Sequence, residues 1–204
     1  MLKKVTVIGL LTLFALFSMA IAQQSKTSKK MQTVKERATG SVQSQKNLGQ
    51  YLVTVSGCND CHSPKQSFVP YPAPDSARLL SGHPANENIP TVPTNIIGPT
   101  AWGALTTNDL TAWAGPWGVS YPANLTPDQT TGMGAWTEQT FIQAMHTGKH
   151  MGAGRDILPP MPWYNLAKAK DADLRAIYSY LKSIPAITNQ VPQPVTATQT
   201  GTTK

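Results

Sequence analysis

Cysteine is scarce in this chain, with only two among 204 residues. Two thiols could form one disulfide in an exported protein, but no second pair completes a four-ligand structural zinc site. After residue 22 there is no further apolar run long enough to cross a bilayer. We find neither an internal repeat nor a strand–helix alternation. The sequence therefore predicts one domain with a tail at each end.

Acidic residues are also few, ten against 17 basic ones, which gives a net charge of +7. The excess is local, because six basic residues and only Glu36 lie between positions 23 and 46. From position 47 onward the chain carries nine basic and nine acidic residues. We therefore predict a disordered, solvated leader at 23–45. A neutral domain of this kind excludes nucleic acid as a partner.

The first 22 residues have the features of a secretory signal peptide. Lys3 and Lys4 precede an apolar run that closes with the small-residue pattern Ala20-Ile21-Ala22. We predict a signal peptide at 1–22 and a mature protein in the periplasm. An uncleaved anchor is the alternative, since about 18 apolar residues can just span a bilayer. Peripheral membrane association therefore stays open.

Three segments of the predicted domain at 46–185 repeat apolar residues at helical spacing, namely 48–55, 137–148 and 171–182. Thr137 is a suitable N-cap for the second helix, and Gly148 is a suitable C-terminal stop. The stripes consist of Leu48, Tyr51, Leu52 and Val55, then Phe141, Ile142 and Met145, and finally Leu174, Ile177, Tyr178 and Leu181.

The stretch 63–135 lacks periodicity and is rich in proline, glycine and tryptophan. So long an irregular insertion is unusual in a compact domain unless it is functional. It would be explained if it wrapped a flat cofactor, and a surface insertion is the alternative. Residues 186–204 are mostly Thr, Gln, Pro and Val, which predicts a flexible tail.

The strongest motif is Cys58-Asn59-Asp60-Cys61-His62. C-x-x-C-H is the attachment pattern for c-type haem. Two thiols three residues apart can each form a thioether with a haem vinyl group, and the adjacent His62 can then ligate the iron. A thioredoxin-like CxxC would require a βαβ setting, which the sequence does not indicate. One such motif predicts one covalent haem c.

Met161 is the candidate sixth ligand of the iron. It lies in the sequence Leu158-Pro159-Pro160-Met161-Pro162-Trp163, where prolines fix φ and stiffen the loop. A thioether ligand raises the reduction potential of a cytochrome. Other methionines and histidines remain as alternatives: Met31, Met133, Met145, Met151, His83, His146 and His150.

Five pieces of the chain occur in an order typical of one family. They are Gly57–His62, Asn124–Asp128, Thr131–Thr137, Leu158–Trp163 and Asp173–Leu181 followed by Ile184-Pro185. Together they resemble class I cytochromes c, and in particular the haem domains of cytochrome c subunits associated with bacterial dehydrogenases.

This resemblance implies a mainly α fold, with helices packed around one covalently bound haem and the first and last helices crossing. It implies that His62 and Met161 are the axial ligands, and that Asn124 and Trp136 lie against the haem.

The function expected from these features is electron transfer without catalysis. A mono-haem c-type cytochrome would carry single electrons between periplasmic or membrane redox partners, such as a dehydrogenase or a terminal oxidase. One alternative is a haem subunit fixed in a dehydrogenase or oxidase complex. Another is a haem sensor or enzyme whose sixth ligand is displaceable.

Overall fold

The computed structural model describes the backbone of residues 3–67, 71–93, 97 and 102–196, and side chains within these ranges from residue 23 to residue 195. The predicted signal peptide at 1–22 lies outside the described side chains, as does the end of the tail. The chain divides into two units, Met1–Ser44 and Gln45–Lys204. No helix in the described part has an apolar stretch long enough to cross a membrane.

Helix α1 spans Lys3–Val55 and contains the described part of the first unit. Every side chain from 23 to 44 is exposed. The hydroxyls of Thr27, Thr33 and Thr39 each donate to the carbonyl four residues earlier. The backbone at 23–45 is helical, and the disordered leader stays a prediction. Lys, Gln, Arg and Met are good helix formers even where no apolar face is present.

The second unit is built around α3 (Glu138–Thr147) and α5 (Asp171–Leu181), with the short helices α2 (Cys58–His62) and α4 (Trp163–Leu166). The apolar faces predicted for α3 and α5 are confirmed. Their buried members form one cluster with residues from α1 and two loops, consisting of Val53, Leu80, Met133, Phe141, Ile142, Ala144, Met145, Leu174, Ile177 and Leu181.

Of the face predicted for the end of α1, Leu52 packs against the core cluster as expected, but the other three residues do not. Leu48, Tyr51 and Val55 are 42%, 62% and 59% exposed, whereas Val53 is buried. The reason is a close approach at the buried Gly49, where an added Cβ would lie 1.9 Å from the carbonyl oxygen of Ala176 in α5. A helix whose contact row is centred on a glycine turns its larger side chains away from its neighbour.

Two small antiparallel sheets occupy part of the insertion predicted to be irregular. One pairs β1 (Lys65–Ser67) with β2 (Ala73–Pro74). The other has the order β3-β4-β5-β6, formed by Leu105–Thr106, Trp113–Gly115, Gly118–Ser120 and Val195–Thr196. Strands of two or three residues are too short to show alternation in a sequence.

The described part of the tail, up to residue 196, contacts the rest of the second unit, and the flexible tail at 186–204 stays a prediction. Besides β6, Asn189 holds the described part in place: its side-chain amide donates to the carbonyls of Ser81 and His83 at 2.7 and 2.8 Å. Its Oδ1 accepts from the Ala85 N–H at 3.0 Å. The described residues thus form five helices and two small sheets, a partly helical fold.

Helix α3 begins as predicted, because the Thr137 Oγ1 accepts from the Thr140 N–H at 3.1 Å. Thr137→Ala removes this N-cap and should lower the free energy of unfolding by about 1 kcal/mol. Thr137→Ser keeps the cap and should cost much less. Urea denaturation followed by circular dichroism checks both. Equal losses in the two variants would contradict the assignment.

Candidate haem-binding site

Gly57 places the two cysteines and the histidine on a separate short helix. Its φ of 68° lies in the left-handed region, and its N–H donates to the Thr54 carbonyl at the end of α1. The chain then restarts as α2, where the Asp60 N–H donates to the Gly57 carbonyl. Because α2 is a single turn, Cys58, Cys61 and His62 are held close together.

His62 is buried, and its Nδ1 lies 2.8 Å from the carbonyl oxygen of Ala123. A carbonyl can only accept, so Nδ1 carries the proton. Burial lowers the pKa of His62, which keeps the ring neutral at neutral pH. The lone pair is therefore on Nε2. An imidazole fixed through Nδ1 to a backbone carbonyl is the usual arrangement of a metal-ligating histidine.

The two thiols are free and half-buried. Burial raises the pKa of Cys58 to about 11 and also raises that of Cys61. Neither is a thiolate at neutral pH, unlike the attacking cysteine of a redox CxxC motif. In the described part of the chain, the groups of three converging metal-ligating side chains do not include this motif. The surroundings therefore favour neither a thioredoxin-like nor a zinc site.

Lys65 supports the end of α2, a role that was not predicted from the sequence. Its Nζ donates to the carbonyls of Asp60 and Ser63. Ser63 is fully buried, donates to Asn59 Oδ1 and accepts from the Leu80 N–H, both at 2.8 Å. A basic residue just after a predicted helix end is the signal that could have identified Lys65.

Asn124 directly follows the residue that binds His62, but the chain itself uses its side chain. Its Oδ1 accepts from the Thr126 N–H and hydroxyl, at 3.0 and 2.7 Å. Its Nδ2 donates to the Ile187 carbonyl at 2.8 Å and to Thr131 Oγ1 at 3.2 Å. The observed contacts give Asn124 a role in joining the loop to the tail, and contact with a cofactor stays a prediction.

Trp136 is half-buried beside the core cluster. Its ring meets His150 edge-on, with centroids 5.1 Å apart, and its carbonyl accepts from the Tyr178 hydroxyl at 2.7 Å. The ring therefore contacts the segment that follows α3, and the backbone of Trp136 is tied to α5. Its predicted contact with haem is neither confirmed nor contradicted.

Met161 is half-buried in a loop fixed at several points. The carbonyl of Pro159 accepts from Ser120 Oγ at 2.6 Å, and the Met161 carbonyl accepts from the Trp163 N–H at 2.9 Å. The Trp163 ring lies over Gly148, where an added Cβ would come within 2.5 Å of it. The proline-rich loop is therefore held in one place, as its sequence predicts.

The other described methionines have different surroundings. Met133 and Met145 are buried in the core cluster. Met31 and Met151 are 71% and 49% exposed. Of the five outside the predicted signal peptide, only Met161 combines partial burial with a position in an anchored loop.

No family model matches the chain. It is 27% identical over 143 residues to the fructose dehydrogenase cytochrome subunit of Gluconobacter japonicus. This matched region is 69% of the present chain and 22% of that subunit. The chain is 37% identical over 67 residues to the gluconate 2-dehydrogenase cytochrome c subunit of Pantoea cypripedii, which covers 33% and 15%. It is 35% identical over 65 residues to the cytochrome c subunit of the quinone-dependent alcohol dehydrogenase of Gluconobacter oxydans, which covers 32% and 13%.

The chain is thus similar to cytochrome c subunits of bacterial dehydrogenases, at modest identity, and the resemblance predicted from the motifs is confirmed. It spans less than a quarter of the length of these relatives. These three relatives are named as cytochrome subunits of dehydrogenases rather than as catalytic subunits, and the similarity to them implies haem c. The side chains present fit haem c. Two neutral thiols lie on one helical turn, and they precede a buried imidazole with its lone pair on Nε2.

Proposed function

We propose that this chain is a periplasmic mono-haem c-type cytochrome with a class I cytochrome c fold. It carries single electrons between protein partners, which we infer to be a dehydrogenase as donor and a second redox protein, such as a terminal oxidase, as acceptor. One observation carries the proposal: a neutral, buried His62, oriented by the Ala123 carbonyl, directly follows two half-buried thiols.

Cys58 and Cys61 hold the cofactor in this proposal. Each thiol would form one thioether bond with a haem vinyl group, and its hydrogen would pass to the other vinyl carbon. Gly57 and Lys65 fix the two ends of the turn that carries these thiols. The covalent bonds would retain the cofactor in a domain with a small core.

In this proposal His62 and Met161 would be the protein ligands of the iron. Two hydrogen bonds to one short segment support this assignment. The Ser120 hydroxyl donates to the Pro159 carbonyl in the Met161 loop, and the Ala123 carbonyl accepts from His62 Nδ1. Ser120 and Ala123 are three positions apart, so their Cα atoms are separated by at most about 11 Å. The two ligand-bearing segments are therefore attached to one short stretch of backbone.

His146 is a poor alternative to Met161. Its Nδ1 lies 3.0 Å from the Ala167 carbonyl, and its Nε2 lies 2.9 Å from Asp171 Oδ1. Both ring nitrogens are thus occupied by protein groups. His150 is half-buried beside Trp136 and remains the alternative to exclude by experiment.

Haem, when bound, supplies a one-electron iron couple whose potential depends on the axial ligands and on burial. The contribution of the chain is positional. The core cluster excludes water from one side of the site, and the hydrogen bond from His62 Nδ1 holds the imidazole orientation. Because no residue needs to give or take a substrate proton, the same arrangement serves both oxidation states.

Covalent haem attachment tests this proposal directly. In a host that matures c-type cytochromes, the exported protein should exceed its polypeptide mass by one haem and give one haem per chain in a pyridine haemochrome assay. Cys58→Ser with Cys61→Ser should abolish both signals. Asp60→Asn, inside the same motif, should leave them intact. A colourless wild-type protein with the mass of its amino acids alone would refute the proposal.

A fixed role within a dehydrogenase complex is the second candidate. The observation that favours it is the exposed apolar row formed by Leu48, Tyr51 and Val55 on α1. Contiguous exposed apolar groups often mark contacts between proteins. Copurification of the haem protein with a dehydrogenase after mild solubilisation would support this role, whereas recovery as a free monomer would support a mobile carrier.

A further inference from the structure

Three potential metal ligands converge at a second place in the chain, apart from the CxxCH motif. One ligand atom each from His83, Glu87 and Asp109 lie within 4.8 Å of one another. His83 and Glu87 belong to the segment after β2, and Asp109 belongs to the turn between β3 and β4. Residues from separate parts of the insertion thus meet at one point.

His83 is fully buried, and its hydrogen bonds assign its tautomer. Its Nδ1 lies 2.8 Å from Thr111 Oγ1, and that hydroxyl donates its proton to Asp109 Oδ2. The hydroxyl must therefore accept from Nδ1–H, which leaves the lone pair on Nε2. This Nε2 is buried and makes no hydrogen bond, although the Glu87 backbone lies close enough to the ring to oppose the lowering of its pKa by burial. Leaving such an atom unpaired is unfavourable, so it indicates a ligand.

Asp109 is an ionised ligand candidate. It is only 8% exposed, and burial raises the pKa of its carboxyl, but hydrogen bonds from Thr107 and Thr111 outweigh this and hold the pKa below its usual value. Its two oxygens accept from Thr107 Oγ1, Thr111 N–H and Thr111 Oγ1. A carboxylate has about four acceptor positions, so one remains.

Glu87 is exposed and adds a second negative charge beside Asp109. Burial and the repulsion from Asp109 raise its pKa. Two basic residues, Arg78 and Lys65, line one surface cleft with both carboxylates, and their charges act on Glu87 and Asp109. Their direct partners are other groups: Arg78 pairs with Asp75 at 2.8 Å, and Lys65 Nζ donates to carbonyls at the end of α2. The two carboxylates thus lack a direct cationic partner among the described residues.

We propose that His83 Nε2, Glu87 and Asp109 bind a divalent transition-metal ion, for which zinc is the appropriate probe. Imidazole with carboxylates suits zinc, whereas calcium and magnesium prefer oxygen ligands alone. Ligands of tetrahedral zinc stand about 3.4 Å apart, so separations of up to 4.8 Å must shorten by up to about 1.4 Å. Rotation of the exposed Glu87 can provide this, and water can fill the fourth position.

A surface cleft gives the ion access to this site. It has a volume of about 470 Å³ and is lined by both carboxylate residues, Glu87 and Asp109. The ion would enter there and reach the buried imidazole last. His83 itself is not among the residues that line the cleft.

The bound ion would stabilise the backbone segments that hold His62 in position. The His83 N–H donates to the Pro122 carbonyl, and the neighbouring Gly82 N–H donates to the His62 carbonyl. The His83 ring also lies 4.8 Å from the ring of Tyr121. Metal binding would therefore link the turn at residues 107–111 to the backbone on both sides of the His62–Ala123 contact.

Zinc binding to the purified full-length protein, with its cofactor, tests the proposal. Equilibrium dialysis with elemental analysis should give one zinc per chain, and Glu87→Gln should weaken binding by about 100-fold or more. Because Glu87 is exposed, this isosteric change should not disturb folding. Calcium and magnesium at the same concentration should not compete.

The matched control is His146→Gln, since His146 and Asp171 form an exposed histidine–carboxylate pair elsewhere in the unit. This variant should bind zinc as the wild type does. Zinc-edge X-ray absorption should report one nitrogen and several oxygen ligands at about 2.0–2.2 Å. No zinc uptake, equal binding by Glu87→Gln, or loss of zinc in His146→Gln alone would overturn the proposal.

Discussion

Replacing Met161 by alanine is expected to lower the reduction potential of the haem-loaded protein by an amount on the order of 0.1 V. The variant should also bind carbon monoxide in its reduced form, which the wild type should resist. Electrochemical titration measures the first effect, and the absorption spectrum measures the second. Both effects follow if the Met161 sulfur is the sixth ligand.

The physical reason is that a thioether stabilises the reduced iron relative to the oxidised iron. Alanine cannot ligate, so water or an external ligand takes the position. The loop itself should persist, because the hydrogen bond from Ser120 to the Pro159 carbonyl and the bond from the Trp163 N–H use backbone oxygens. A change in potential would therefore report a lost ligand rather than a displaced loop.

Met151→Ala is the matched control for this prediction. Met151 is 49% exposed, so its replacement removes a methionine ten positions away without opening the core. Its potential and its resistance to carbon monoxide should equal those of the wild type. If Met161→Ala were also unchanged, the sixth ligand would have to be sought elsewhere, beginning with His150.

The elements that were predicted well have local signals. The start of α3 at Thr137 and its stop at Gly148 follow from capping chemistry within a few residues. The CxxCH motif is likewise local, so Cys58, Cys61 and His62 could be identified without knowing the fold.

The elements that were missed depend on distant parts of the chain. The partner of His62 is the backbone carbonyl of Ala123, and a backbone group leaves no mark in a residue pattern. Asn189 attaches the described part of the tail to partners that lie more than 100 residues earlier. The His83 cluster likewise requires Asp109 to fold back through a short sheet.

Gly49→Ala is expected to destabilise the second unit by about 3 kcal/mol, which corresponds to a fall in melting temperature of roughly 10 °C. The added methyl would lie 1.9 Å from the Ala176 carbonyl oxygen and 2.8 Å from the Tyr180 Cβ. Ala176 is fully buried within α5, so its backbone cannot yield without moving that helix away from the core. Thermal unfolding followed at the helical circular dichroism band measures the loss.

The same helix provides a control, since an added Cβ at Gly40 meets nothing within 4 Å. Gly40→Ala should keep or raise helix content, because alanine favours a helix by about 1 kcal/mol over glycine. Opposite signs for the two substitutions would separate helix propensity from helix contact. Equal effects would mean that α1 and α5 do not approach at Gly49. In that case α5 would not hold the end of the helix that leads into Gly57 and the first cysteine.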